Sequence, residues 1–121
     1  MTAKEFRDLA LALPEATEAQ HLGHPDFRVC GKIFATLEPE KDSGMAKLPP
    51  EEQARLVQLE PDVYRPASGA WGRLGCTIIQ LHAADRLTVN EALVAAWRNT
   101  APKRLVEQSN HLDCGDDSTR S

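Results

Sequence analysis

One stretch of the sequence, between residues 65 and 77, constrains the fold more than any other. Glycines recur in it at every third position, at 69, 72 and 75, with Trp71 between the first two and Arg73 after the second. Glycine is favoured where the backbone takes a positive φ or approaches another segment closely. The stretch is therefore predicted to be a bulged or tight connection that buries Trp71. The alternative is that the same backbone presents the ring as an exposed platform.

Apolar residues at helical spacing predict three helices. The first is predicted over 3–13, where Thr2 and Glu5 form a capping box. Its buried face is predicted to be Phe6, Leu9, Ala10 and Leu13. A second helix is predicted to begin at Pro49–Pro50, because proline suits the first helical position. A third is predicted over 88–100, with Trp97 in the core.

Segments that alternate in polarity or are rich in β-branched residues predict the strands. They lie at 26–30, 33–37, 45–48, 63–65 and 76–82. Gly31–Lys32 is predicted to be a two-residue hairpin turn. The polar segment 15–26 is predicted to contain a turn at Gly23 and Pro25, and no strand is predicted in it before residue 26. Strands joined by such short turns pair antiparallel.

The order of these elements, α-β(3)-α-β(2)-α, predicts an α+β domain of two layers, with helices packed on one face of an antiparallel sheet. A chain of 121 residues fits one domain, placed at 1–107. The polar segment 108–121 is predicted to be a disordered tail.

Composition narrows the classes of function. The net charge is −4 and the pI about 5.5, whereas nucleic-acid binders usually carry a basic excess. No apolar run is long enough to span a bilayer, and the N-terminus lacks the pattern of a signal peptide, so a cytoplasmic location without membrane partners is expected. The odd number of cysteines, three, argues against a disulfide framework, and strand-like Cys30 and Cys76 are predicted to act as small apolar side chains.

Catalytic and metal motifs are weak. No serine or cysteine has a local base, so no catalytic residue, no cofactor and no enzymatic activity are predicted. His21, His24 and Asp26 could in principle bind a metal, but Gly23 between them indicates a turn. Hydrogen-bonding histidines are therefore favoured over ligands, and no metal is predicted.

Basic residues on or beside the strands form the main candidate site. They are Arg28, Lys32, Lys47, Arg65 and Arg73. They are interpreted either as a phosphate-contacting patch on an open sheet face or as ordinary exposed strand positions. The amides of the glycine stretch could also form an anion nest beside Arg65 and Arg73.

Several segments resemble the MmcQ/YjbR-like family. They are 23–29 (GHPDFRV), 31–37 (GKIFATL), Lys47–Leu48 before a proline-started helix, 68–73 (SGAWGR) and 95–98 (AAWR). The resemblance runs over residues 4–106. It implies a two-layer α/β domain similar in fold to the bacterial frataxin CyaY and to secretion chaperones. Members are commonly described as DNA-binding because the sheet resembles a double-wing module, and the family has no catalytic residue set.

Three functions remain open from the sequence. In the first, Arg28, Lys32, Lys47, Arg65 and Arg73 contact DNA phosphates, Trp71 stacks or wedges, and binding is weak and non-specific. In the second, the sheet face or the Trp71 loop is a protein-interaction or regulatory surface. The third, a frataxin-like metal binder using Glu5, Asp8 and Glu15, is least favoured because Lys4 and Arg7 lie among these acids.

Overall fold

The computed structural model describes residues 1–21 and 23–114, and side chains are described for all of these except His21 and 109–114. Five helices and six strands follow one another in this range. In chain order they are α1 Ala3–Leu11, β1 Ala16–His21, β2 His24–Val29, β3 Lys32–Glu38, β4 Ser43–Lys47, α2 Pro50–Leu59, β5 Tyr64–Pro66, α3 Ala70–Arg73, β6 Cys76–Gln80, α4 Arg86–Thr100 and α5 Lys103–Cys114. Two 3₁₀ turns, Pro39–Lys41 and Leu81–Ala83, complete the described part.

All six strands form one antiparallel sheet in the order β1-β2-β3-β4-β6-β5. Neighbours joined by short turns pair directly from β1 to β4, and β6, which follows α2, β5 and α3 in the chain, pairs with the other edge of β4. This order confirms the predicted α+β class and the predicted antiparallel pairing.

The core lies between one face of the sheet and the helices. Helices α1 and α4 contact each other, and both contact β3 and β4. The ring of Phe6 in α1 lies 6.1 Å from that of Phe27 in β2, and both are fully buried. Trp97 in α4 is 1% exposed and donates its indole N–H to the Pro14 carbonyl at 2.9 Å. Helices α1 and α4 therefore share one face, as predicted.

Strand β1 was not predicted. It pairs with β2 along its whole length, from Ala16 opposite Val29 to His21 opposite His24. Its sequence, ATEAQH, contains no large apolar residue. As an edge strand it is held chiefly by backbone hydrogen bonds to β2. Because such bonds require no apolar side chains, the sequence shows no hydrophobic alternation there.

The β2–β3 hairpin turns one residue earlier than predicted. Its central residues are Cys30 and Gly31, with φ of 51° and 81°. Two successive positive φ values are typical of a type I′ turn, which matches the twist of the flanking strands. Lys32 is therefore the first residue of β3, opposite Val29, and not part of the turn.

The end of the chain differs in part from the predicted tail. Helix α5 extends to Cys114, so residues 108–114 of the predicted disordered segment have a helical backbone. Leu105 of this helix is buried in the core. Residues 115–121 lie outside the described residues.

The glycine-rich connection between β5 and β6 contains the short helix α3. A Cβ atom on Gly72 would lie 1.9 Å from the Ala67 carbonyl oxygen, so only glycine fits there. Gly75 has a φ of 105°, and a Cβ atom on it would lie 1.8 Å from the Leu48 carbonyl oxygen. Its own carbonyl accepts a hydrogen bond from the Leu48 amide at 3.0 Å. These contacts fix α3 against the ends of β4 and β5.

Gln53 of α2 fastens the same connection from the other side. Its Nε2 donates to the carbonyls of Gly72 and Cys76, at 3.0 and 3.1 Å, and to the Thr77 hydroxyl at 3.1 Å. One side chain thus joins the second helix to the end of α3 and the start of β6.

We expect Trp97→Ala to lower the free energy of unfolding by about 3–5 kcal/mol, because it removes a buried indole and leaves a cavity. Thermal or urea unfolding followed by circular dichroism measures the change. The matched control is Trp71→Ala, whose ring is 66% exposed, and which should change the stability by less than about 0.5 kcal/mol. Equal effects of the two substitutions would contradict this packing.

We expect Gly72→Ala to destabilise the protein by about 1–3 kcal/mol, because the new methyl group must displace the backbone at Ala67. Urea unfolding of the variant checks the value, and Ser68→Ala, at an exposed position of the same connection, is the control. A variant as stable as the wild type would show that the connection adjusts without cost.

Candidate functional site

The face of the sheet opposite α1 and α4, here called the open face, carries the candidate site. Gly44 faces Phe6 of α1, so its neighbour Met45 points to the open face. The register places Thr36 of β3 and Ile78 of β6 on either side of Met45, and Arg65 of β5 beside Ile78. This row of side chains crosses the centre of the sheet.

A basic pocket lies at the end of the sheet where β3 begins and β4 ends, between the open face and the last residues of α4. Three of the predicted cations line it, namely Arg28, Lys32 and Lys47, together with Gly31, Ile33, Asn99 and Thr100. Asn99 anchors the end of α4 beside them by donating to the Lys47 carbonyl at 3.0 Å. The structure thus brings together three cations of which the first and last, Arg28 and Lys47, are 19 positions apart in the sequence.

Arg28 is already paired within this pocket. Its Nε and Nη2 donate to the two carboxylate oxygens of Asp26 at 2.8 and 3.1 Å. The Asp26 side chain is almost completely buried, and that of Arg28 is 32% exposed. The hydrogen bonds to Asp26 raise the pKa of Arg28, so the guanidinium stays charged but is neutralised locally. Lys32 and Lys47, both exposed, supply the net positive charge of the pocket.

An apolar groove adjoins the basic pocket. Ile33, Met45, Ile78 and Trp71 line its apolar surface, and Lys47 and Glu38 contribute to its border. Because Ile33 and Lys47 line both cavities, the groove and the basic pocket form one continuous surface. These apolar positions were not singled out from the sequence, although Met45 and Ile78 lie between buried neighbours on their strands. At Ile33 a register shift between β2 and β3 interrupts the alternation, since Phe34 and Ala35 are both buried.

Trp71 stands at the rim of the groove with 66% of its surface exposed. The favoured prediction that the glycine connection buries this ring was therefore wrong. The reason is that Gly72, and not Trp71, faces inward against Ala67, which turns the indole outward. Leu74 at the end of α3 is exposed to a similar extent, 65%.

The remaining two predicted cations are less central. Arg65 lies on the edge strand β5 in the row with Ile78, and it is exposed. Arg73 ends the short helix α3, is also exposed, and lines neither cavity. The structure therefore gathers Arg28, Lys32, Lys47 and Trp71 into one surface, with Arg65 on the same face and Arg73 apart.

The opposite end of the open face is acidic. It is formed by the end of β3 and the turn that follows, and it carries Glu38, Glu40 and His24. His24 lies 3.6 Å from Glu38 and 3.2 Å from Glu40, measured between Nε2 or Nδ1 and carboxylate oxygens. Charge on this face is thus divided along the strands, positive where β3 begins and negative where it ends.

The sequence contains other candidate metal ligands. Asp26 is engaged by Arg28, and the His21 side chain lies outside the described part. In the first helix, Glu5 closes the capping box with Thr2, and Asp8 pairs with Lys4 at 2.8 Å. The grouping of His24 with two glutamates was missed because strand pairing and a 3₁₀ turn, and no short motif, bring them together.

The two described cysteine thiols differ in environment. Cys76 in the groove wall is 3% exposed, and burial raises the pKa of its thiol, which disfavours the nucleophilic thiolate. Cys30, predicted to be a small apolar side chain, is instead exposed in the hairpin turn, with its Sγ 4.0 Å from a Glu15 oxygen. Within residues 1–21 and 23–114, no helix is long and apolar enough to cross a membrane.

Comparisons with known proteins place the chain in a family. No curated protein matches the sequence. The crystal structure of Deinococcus radiodurans protein DR2400, described as a DUF419 domain, is similar over 99% of this chain and 93% of that one, with a TM-score of 0.72 and 18% sequence identity. That similarity shows a shared fold. The family model named YjbR matches residues 11–99, which include β1 to β6 and the open face between them. The chain therefore belongs to the YjbR family.

Proposed function

We propose a binding function, and not a catalytic one, for the open face: weak, non-specific binding of DNA, with a preference for single strands. The observation that carries the proposal is the continuity of the exposed Trp71 and the apolar groove with the lysines of the basic pocket. Proteins that bind single strands combine cations that follow the phosphates with aromatic side chains on which bases stack.

A single strand fits this surface better than a duplex. The indole of Trp71 is exposed beside an apolar groove, and it can stack only on a base whose face is accessible. Bases of a duplex are stacked on each other and present only their edges in the grooves. A duplex would therefore gain the phosphate contacts of Lys32 and Lys47 but not the stacking.

The charge distribution limits the strength of binding. Arg28 is neutralised by Asp26, which leaves Lys32, Lys47, Arg65 and Arg73 from the predicted set. The net charge of −4 and the acidic end of the face oppose a polyanion. Non-specific affinities for DNA at physiological salt are on the order of 10⁻⁴ to 10⁻⁶ M, and the expectation for this protein lies at the weak end.

We expect binding of a fluorescent oligo-dT to weaken with salt, with a slope of log affinity against log salt no steeper than about −2.8. Four phosphate contacts at about 0.7 each set this limit for single strands. Fluorescence anisotropy at several salt concentrations measures the slope. Lys32→Glu combined with Lys47→Glu should abolish binding.

The control for the charge reversal is Arg86→Glu, which makes the same charge change as a single reversal at Lys47. Arg86 is exposed at the start of α4 in the helix layer, away from the open face. Comparing Arg86→Glu with Lys47→Glu separates local contact from total charge. If the two weaken binding equally, or if the wild type shows no salt-dependent binding at low ionic strength, the DNA proposal is wrong.

We expect Trp71→Ala to weaken binding of the single strand by about 1–3 kcal/mol, the usual value of one base–aromatic stack. Leu74→Ala is the matched control, because Leu74 is as exposed in the same connection but does not line the groove. The chain has two tryptophans, so in a Trp97→Phe background Trp71 is the single one left. Quenching of its fluorescence by oligo-dT then reports stacking directly. Unchanged fluorescence at saturating oligo-dT would argue against stacking.

A protein-interaction surface is the second candidate, and the exposed pair Trp71 and Leu74 favours it. Exposed tryptophans beside apolar grooves are typical of interaction hot spots. This function predicts that binding of a partner is lost in both Trp71→Ala and Leu74→Ala, and that it depends little on salt. The two substitutions thus distinguish the candidates.

A further inference from the structure

We propose that His24, Glu38 and Glu40 form a binding site for a divalent transition cation of the Zn²⁺ class. One ligand atom from each of the three residues lies within 4.8 Å of the others. The proposal rests on observations at this cluster and is independent of DNA binding.

The distances suit a tetrahedral ion. With metal–ligand bonds of about 2.1 Å, neighbouring ligand atoms of a tetrahedral zinc site are about 3.4 Å apart. Each glutamate oxygen lies at about this distance from one ring nitrogen of His24: Glu40 is 3.2 Å from Nδ1, and Glu38 is 3.6 Å from Nε2. An ion uses only one nitrogen of the ring, so an ion held by Nδ1 and Glu40 requires a rotation of the Glu38 side chain toward Nδ1. That side chain is 36% exposed, which leaves room for the rotation.

One atom in the cluster lacks a partner that an ion would supply. Nδ1 of His24 is shielded from solvent and makes no aligned hydrogen bond, although a Glu40 oxygen lies 3.2 Å away. A shielded nitrogen without a partner is unfavourable. A cation between this nitrogen and the carboxylate would satisfy both.

The local charge also favours a cation. Glu38 and Glu40 carry like charges at close range, and the described cation nearest to them in an ion pair is Lys41, whose Nζ is 3.9 Å from Glu38. That lysine is 69% exposed, so its pairing is screened by water. A divalent ion would neutralise both carboxylates together.

The chemistry of the ligands indicates which ions would bind. One imidazole and two carboxylates suit Zn²⁺ and its neighbours in the first transition row, whereas Mg²⁺ and Ca²⁺ prefer oxygen ligands alone. Three protein ligands leave the fourth position of a tetrahedral ion for water.

The backbone holds these residues in place before any ion binds. His24 is the first residue of β2, Glu38 is the last of β3, and Glu40 lies in the 3₁₀ turn Pro39–Lys41. Asp42 closes that turn with a φ of 52°, and its carboxylate accepts a hydrogen bond from the His82 amide at 3.0 Å. The turn is thus fastened to the 3₁₀ segment after β6.

His82 and Asp42 provide a matched control within the same region. Their side chains lie 3.1 Å apart, so they form a histidine–carboxylate pair like His24 with Glu40. Among the described residues, no third ligand completes this pair. A site that requires three ligands should therefore depend on His24 and not on His82.

The test is isothermal titration of ZnCl₂ into chelator-treated protein at neutral pH, in a background where Cys30 and Cys114 are replaced by serine so that thiols do not bind zinc. We expect saturable binding of one ion per chain. Glu40→Gln and His24→Gln should each weaken it at least about tenfold, the smallest loss expected for a residue close to a metal. His82→Gln should leave it unchanged, and MgCl₂ should give no comparable binding.

Circular dichroism of each variant checks that it is folded. Glu40→Gln is decisive if His24→Gln unfolds, because Glu40 is largely exposed and its replacement preserves shape. Saturable binding that is weakened in Glu40→Gln and retained in His82→Gln supports the site. Absence of saturation up to millimolar Zn²⁺, or equal affinity in the wild type and Glu40→Gln, overturns the proposal.

Discussion

The covering of the sheet on a single face is the constraint on which the rest of the structure depends. Helices α1 and α4 pack on each other and on β3 and β4, and they bury Phe6, Phe27 and Trp97 between the layers. A chain of this length has enough large apolar residues for one such layer. The other face keeps a mixture of charged, polar and partly buried apolar side chains. The apolar groove and the cluster of His24, Glu38 and Glu40 lie on this face, and the basic pocket lies at its end.

The position of Trp71 follows from backbone contacts rather than from its own burial. Gly75 meets Leu48 at the end of β4, Gly72 meets Ala67, and Gln53 donates to the carbonyls on either side. These contacts leave a four-residue helix no alternative orientation, and its large side chains project outward. The connection is therefore a rigid support for an exposed aromatic ring, which reduces the entropy lost when a ligand covers it.

Much of the fold could be predicted from the sequence, because hydrophobic periodicity records burial. The helical face of Phe6 and Leu9 and the alternation of Phe27 and Val29 both correspond to core residues. Strand β1 could not be predicted, since an edge strand held by main-chain bonds needs no apolar pattern. The exposure of the Trp71 side chain could not be predicted for a related reason. A run of glycines indicates that the backbone makes a close contact, but it does not show which residue makes that contact.

The candidate site was predictable only in part. The sequence identified the cations on or beside the strands, Lys47 and Arg65 among them, as a possible patch. The pairing of Arg28 with Asp26 depends on burial of the acid, which sequence spacing does not show. The grouping of His24 with Glu38 and Glu40 depends on which strand ends meet across a sheet. Both the burial of Asp26 and the meeting of these strand ends depend on residues far apart in the sequence, so the strength of these charge interactions follows only from the fold.

The division of charge along β3 sets the length of any polyanion that the open face can hold. Seven residues at about 3.3 Å each make the strand about 23 Å long, and Lys32 stands at one end and Glu38 at the other. The favourable half spans about 12 Å, which is long enough for only a few successive phosphates. Beyond that point a bound nucleic-acid strand must bend away from the sheet or approach the carboxylates. The footprint is therefore that of a short segment or chain end, and lengthening the polymer adds places to bind without adding contacts per protein.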